Sequence, residues 1–548
     1  MQTMLTKKKI VGLALLCCAA VTIAIVLTFV LNSTAKAEEP PRYSASPVDV
    51  YTLSVQQPAS VYQQEYQDQV ASELENQLDS GAFTAENPLV ALNPFGTNTL
   101  SVYVAFDTEQ PASVSYRVWT TDNTIPQFQR TLTNDGENGV TTRHAYQMIG
   151  LIPDCANTIE LTLTGQDGKV LATTAFEVTA PKLKSGMDVQ LKKKDHSDGE
   201  LSDGLYVTMG ANADSDSYQY AALYDNDGFI RGEIPLDNYR PDRLNFTQDG
   251  QMVVPVDEDQ IVWLNRQGKM EKTVTIAGYT MHHDLIIQED GNLLVLANKT
   301  SKDTEEDIVL EVNASTGAVT ELLDLETLYP EYVKACSTEK EKLDWFHANA
   351  ITLAGEDSVL LSSRETSSIV KIKNLHTKPE IDYMIGDESI WEGFSYQSLL
   401  LQKDGEFTSQ AGQHSVVYQP DDSLPEGQYY VYCYNNNYGS MVTRESYDWS
   451  NIPGVGDYKN GDASKIYKFL VDENTRSYSL VFEKDVTYSS VVSSAQQMDN
   501  GNYLSCSGNA KEFQECDENG ETIATFHMNV DAIFIYRVYK YDFSGYWF

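Results

Sequence analysis

The chain has 548 residues, 39 of them basic and 79 acidic, for a formal net charge of −40 at pH 7. So few cations exclude a nucleic-acid binder, which sets Lys and Arg against phosphate, and the length excludes one simple core. Tyr is abundant and turn residues recur, which suits strands more than helices, and the acidity fits an exported, soluble domain.

Lys7, Lys8 and Lys9 precede an uncharged, largely apolar stretch from Ile10 to Leu31. A run of that length can cross a bilayer as a helix, with the lysines held in the cytoplasm. Residues 1–37 are therefore read as cytoplasmic lysines plus a cell-membrane anchor, leaving an extracytoplasmic catalytic domain. Ala35-Lys36-Ala37 keeps open a cleaved signal and a secreted or periplasmic product. Beyond this segment, Cys155, Cys336, Cys433, Cys506 and Cys516 match no zinc spacing, although Cys506 and Cys516 could bridge one hairpin.

Residues 38–92 read as a stalk and a short helix. Ser60 is the expected N-cap, Tyr62, Tyr66, Val70, Leu74 and Leu78 form an apolar stripe, and Gly81 stops the helix. The stripe packs within the chain or on a second subunit, so a homodimer is one expectation. Residues 93–181 change to short alternating strands such as Leu100-Ser101-Val102-Tyr103-Val104, the pattern of an immunoglobulin- or fibronectin-like β-sandwich. A Lys-, Asp- and Ser-rich linker is expected over 182–203.

From 204 to 548 one pattern recurs: a strand, a Gly- or Asp-containing turn, another strand, a second turn. Gln248-Asp249-Gly250-Gln251, Glu289-Asp290-Gly291-Asn292 and Asp499-Asn500-Gly501-Asn502 are three of the turns. About six units of this kind predict a six-bladed β-propeller, closed by the final strand around Ile535. The fold class expected is all-β: a small sandwich, then a propeller, behind a transmembrane or signal segment.

Of eight histidines, four open three successive repeats. His282 and His283 lie in Met281-His282-His283-Asp284, His347 in Asp344-Trp345-Phe346-His347-Ala348-Asn349, and His414 in Gly412-Gln413-His414-Ser415. An offset of 65 residues pairs His282 with His347, Asp284 with Asn349 and Lys299 with Arg364, which turns His283 elsewhere or toward the rim. If the repeats close into a ring, the histidines converge on its axis. Three histidines can hold zinc or copper, but a fixed guanidinium such as Arg364 repels a metal and attracts an anion. A neutral imidazole is a nucleophile toward a transferable sulfuryl or phosphoryl group, and Arg with neutral donors stabilises the charge on its oxygens.

These His-His-Asp, Asp-Trp-Phe-His-Ala-Asn, Ser-Ser-Arg and Gly-Gln-His segments, in this order, resemble the bacterial aryl-sulfate sulfotransferase family, whose members are nucleotide-independent. The resemblance covers about residues 90–548. It implies a phenolic sulfate donor, a phenol acceptor, no cofactor, no metal, and a ping-pong transfer through a sulfated histidine. His414 matches the family's nucleophile. Arg364, His347 and the His282/His283 pair match groups that hold the sulfuryl group and move the proton, His347 or His282 being the acid–base candidates. Asn349 matches a polar substrate contact. The cysteine pair that some members carry before the nucleophile is absent from residues 390–413. Trp345 and Phe346, with Trp391, Phe394 and Tyr396, are candidate walls of a phenol pocket. The other function classes compatible with the sequence are a metal-dependent propeller lyase or hydrolase and a non-catalytic surface binding protein.

Overall fold

The computed structural model of the chain describes residues 39–133, 139–212, 220–239, 242–456, 462–530 and 533–548. The expected membrane span at 10–31 lies outside them, and among the described residues no helix is long and apolar enough to cross a membrane.

The sandwich is built on one long strand, Val102–Trp119. A register shift between Asp107 and Ala112 bends it. Its first half pairs with Leu89–Leu92 and Thr141–Met148, its second with Phe128–Thr131 and Ala156–Gly165, and Val170–Thr179 adds the edge. Residues expected to form a free stalk lie along this domain instead, with Pro47 bridging to Glu177 and Val50 to Val90.

The propeller consists of six four-stranded antiparallel blades, two of them extended by a fifth strand. Blade 2 begins at Asn245, blade 3 at Tyr279, blade 4 at Ala348, blade 5 at His414 and blade 6 at Ser494. Blade 1 takes three strands from Leu205 to Pro235, and its innermost strand is Phe534–Tyr541, which pairs with Leu205–Asn212. The C-terminus thus closes the ring and removes the exposed sheet edge that an open array would leave. Central strands are buried on both faces, as in Leu293–Lys299, because each blade packs between two others. The Asp-Gly and Asn-Gly turns work as read. Gly250, Gly291 and Gly501 have φ of 78°, 85° and 91° and close tight inner hairpins. Lys192–Asp195, expected as linker, is the fifth strand of blade 6 and pairs with Thr522–His527.

The helix spans Gln64–Ser80, with Gln63 rather than Ser60 at its N-cap position. Ser60 Oγ instead bonds Asp237 Oδ2 at 2.5 Å and accepts the Tyr62 N–H. Tyr66, Val70, Leu74 and Leu78 are buried in the core shared by sandwich and propeller. Gln67 ties this face down, donating to the Val61 and Phe95 carbonyls and accepting the Met270 N–H of blade 2. The stripe is therefore satisfied inside the chain. Cys506 and Cys516 do not bridge: they face Phe513 and Tyr503 across the ladder, and all five described cysteines are free.

Candidate active site

Blades 3, 4 and 5 bring their opening residues together. The His283 ring stands edge-on to that of His347, with centroids 4.7 Å apart, and lies 5.8 Å from Tyr536 on the closing strand. His283 has φ 55° and His347 φ 54°, a left-handed backbone that costs a non-glycine residue energy. This reverses the expected register: the residue that shares the backbone of His347 and meets its ring is His283. His282 sits behind, its Nδ1 3.2 Å from the Nδ1 of His283 and its Nε2 buried without a hydrogen bond. Burial lowers its pKa.

His347 is held by carboxylates. Its Nδ1 lies 2.6 Å from Asp344 Oδ2 and 2.6 Å from Glu306 Oε2. The ring geometry directs the N–H at Asp344, leaving Glu306 as an ion-pair contact. Burial and the Arg364 guanidinium push the His347 pKa down, but Glu306 and Asp344 outweigh them and raise it to about 9. Arg364 is itself tethered: its N–H bonds the His347 carbonyl and its guanidinium bonds Glu365 at 2.9 Å. Glu365 is fully buried and also accepts the Thr443 N–H and hydroxyl.

His414 is the opposite case. It is 2 % exposed, and burial, aided by the charges of His347, Arg364 and Arg537, drives its pKa well below 6.5. Its Nδ1 faces two oxygens, Asn436 Oδ1 at 2.8 Å and Gly412 O at 3.0 Å. The Asn436 amide cannot be reversed, because its Nδ2 donates to the Ser489 and Val492 carbonyls. Nδ1 must therefore carry the proton, and Nε2 presents a lone pair.

Asn349 holds this loop. Its Nδ2 donates to the Gln413 carbonyl at 2.8 Å, while Oδ1 is buried without a partner. Gln413 is clamped in turn by Ser362, Ser363 and Ser368. Asn349 thus fixes the residue before His414. Below it, Asp284 pairs with Arg243 at 2.8 Å and Arg537 at 3.3 Å, and Arg537 donates to the Asn349 carbonyl. Trp345 and Phe346 do not face the site. Both are fully buried in a core with Tyr329, Tyr332 and Trp391, and Trp345 Nε1 donates to Asp307.

Two overlapping triads, His282–His283–Glu306 and Glu306–Asp344–His347, each place three potential donor atoms within 4.8 Å. In the second, a divalent cation would have to displace the Nδ1 proton of His347 beside Arg364. In the first, the two Nδ1 atoms are already within hydrogen-bonding reach of each other. The cluster as built serves a proton better than a metal ion. Glu306, Asp344, Glu365 and Asn436 were not singled out in the sequence. Asp344 alone carried a usable signal, three residues before His347; Glu306 reaches His347 only across two blades, Asn436 meets His414 only through the turn of blade 5, and Glu365 acts on Arg364.

A family model described as "Arylsulfotransferase (ASST)" matches residues 190–537, and one described as "Arylsulfotransferase Ig-like domain" matches residues 89–181. No curated relative matches the chain. Among solved structures, a protein of unknown function from Bacteroides caccae shares 14% identity over 61% of this chain and 98% of its own, with a TM-score of 0.36. A catalytically inactive virginiamycin B lyase from Staphylococcus aureus shares 10% over 62% and 90%, with a TM-score of 0.33. The WD40 domain of Toxoplasma gondii coronin shares 9% over 63% and 77%, with a TM-score of 0.32.

Proposed function

Because the chain belongs to the arylsulfotransferase family, and is in that sense a sulfuryl-transfer enzyme, we propose that it moves the sulfuryl group between phenols by a ping-pong route through His414. The observation that carries this reading is the fixed tautomer of His414, whose lone pair on Nε2 is held neutral beside a guanidinium and an imidazolium.

In the first half-reaction, Nε2 of His414 forms a bond to sulfur while the bond from sulfur to the aryl oxygen breaks, its electron pair passing to that oxygen. His347 gives its proton to the departing oxygen, and the phenol leaves. Arg364 carries the negative charge of the sulfuryl oxygens in the loose transition state. In the second half-reaction the acceptor phenol returns its proton to His347, its oxygen bonds to sulfur, and the electron pair returns to His414. A sulfate monoester has a single negative charge against about two for a phosphate monoester, so one guanidinium with neutral donors suits it. From the sequence alone, residues 10–31 are further proposed to tether the enzyme outside the cytoplasmic membrane.

The test is release of 4-nitrophenol from 4-nitrophenyl sulfate without nucleotide or added metal, with and without a phenol acceptor. Acceptor-stimulated release that vanishes in His414→Ala is the expected result. No release from any aryl sulfate would overturn the proposal.

A further inference from the structure

Glu306 lies between blade 3 strands Leu293–Lys299 and Ile308–Val312, in a segment with no motif of its own. Its backbone is left-handed, with φ 59°, as in His283 and His347. Its N–H donates to Asn298 Oδ1 at 2.6 Å, and its carbonyl accepts the N–H of Ala348, the residue after His347. The main chains of blades 3 and 4 are thereby pinned at this point, and a strained conformation held from both sides marks a site the fold over-determines. The carboxylate then spans two imidazoles: Oε2 is 2.6 Å from His347 Nδ1 and Oε1 is 3.6 Å from His283 Nδ1. Oε2 is buried and makes no directed hydrogen bond, so its role toward His347 is that of a charge.

We infer that Glu306 is a positioning residue for proton transfer, its carboxylate holding His347 at the same Nδ1 that hydrogen-bonds Asp344, so that the Nε2 proton of His347 is delivered to the leaving aryl oxygen. This rests on the sulfuryl-transfer reading above. The proton balance is closed within the cluster. His347 begins with protons on both nitrogens, loses the one on Nε2 to the aryl oxygen, and keeps the one on Nδ1 against Asp344 and Glu306. The acceptor phenol restores the first. The charged and titratable groups around His347 are Asp344 and Glu306, with Glu305 beside them, Arg364, His283, His282 and His414. Of these only the carboxylates favour its protonated form, so removing the charge of Glu306 leaves Asp344 alone against burial and Arg364.

The experiment compares two donors. 4-Nitrophenyl sulfate releases an acidic phenol that needs little help from a proton, whereas phenyl sulfate releases one with a pKa near 10, roughly that of a tyrosine, that needs it. In Glu306→Gln, the burst of phenol release is expected to fall about a hundredfold or more with phenyl sulfate and only a few-fold with 4-nitrophenyl sulfate. The alkaline limb of kcat/KM should move to lower pH. Glu306→Asp, which restores the charge, should recover both the limb and most of the phenyl sulfate rate. Equal losses with both donors and an unmoved limb would make Glu306 merely structural and overturn the inference, as would a Glu306→Asp enzyme no better than Glu306→Gln. Wild-type protein that releases no phenol from either donor would instead sink the sulfuryl-transfer reading itself.

Discussion

The two central histidines are driven in opposite directions by groups that can be named. His414 is neutral because it is buried with its Nδ1 proton spoken for; His347 is charged because two carboxylates surround one nitrogen. Activity should therefore survive acidification well below pH 6.5, where an ordinary histidine would be lost as a nucleophile, and should fall as pH rises through about 9 and His347 loses its proton. A pH profile of kcat/KM for an aryl sulfate checks both limbs. The raised pKa of His347 also has a stability sign. Its ion pairs contribute fully below its unfolded value near 6.5, and that contribution drains away as pH climbs through about 9, so thermal denaturation should show a decline across that window. Asn436→Asp should undo the arrangement at His414: a carboxylate in place of the amide holds the ring protonated, and the acid limb moves up. Asn436→Ala should cost about 1 to 3 kcal/mol of transition-state stabilisation, or roughly ten- to a hundredfold in kcat/KM, by leaving the buried Nδ1–H a poorer partner set. His414, His347 and Arg364 were legible in the sequence because each sits in a local motif. Asn436, 22 residues beyond His414, was not, because only the turn of blade 5 sets its amide oxygen against the imidazole.

At the scale of strands, the inner edges of blades 3, 4 and 5 are irregular beside the clustered histidines. In blade 3, Met281 pairs with Ala297 and Leu285 with Val295, so four steps on one strand match two on its neighbour. In blade 4, Ala348 pairs with Ser363 and Ala350 with Ser362. Counting an offset along the sequence assumes regular ladders, and a bulge breaks that assumption without changing composition. That is why His282 was favoured over His283, while the number of blades and the Gly turns, which depend on local pattern, were readable. The aromatic residues teach the same lesson. Trp345 and Phe346 precede His347 directly, which suggested pocket walls, yet the left-handed turn at His347 sends them into the blade core. Trp345→Ala should accordingly cost about 3–5 kcal/mol of stability by denaturant unfolding. The protein that remains folded should keep the donor KM of the wild type to within a few-fold.

On the scale of the whole molecule, the site draws on blades 3, 4 and 5, and the closing strand of blade 1 completes its floor. Chelation with EDTA should leave sulfuryl transfer unchanged, and loss of activity restored by one divalent metal would revive the metal-dependent alternative. The sandwich is not a loose appendage. Thr99 N–H bonds the Glu233 carbonyl, Gly150 N–H bonds the Arg231 carbonyl, and Trp547 Nε1 donates to Gln147, so the two domains share one core. The closing strand carries Tyr536, against His283, and Arg537, bound to Asp284 and the Asn349 carbonyl. A chain emerging from the ribosome therefore possesses all four clustered histidines long before the strand that completes their surroundings. The final sixteen residues, Ile533 to Phe548, thus act as a completion check: premature termination or clipping of the tail is expected to yield a silent protein rather than a leaky one.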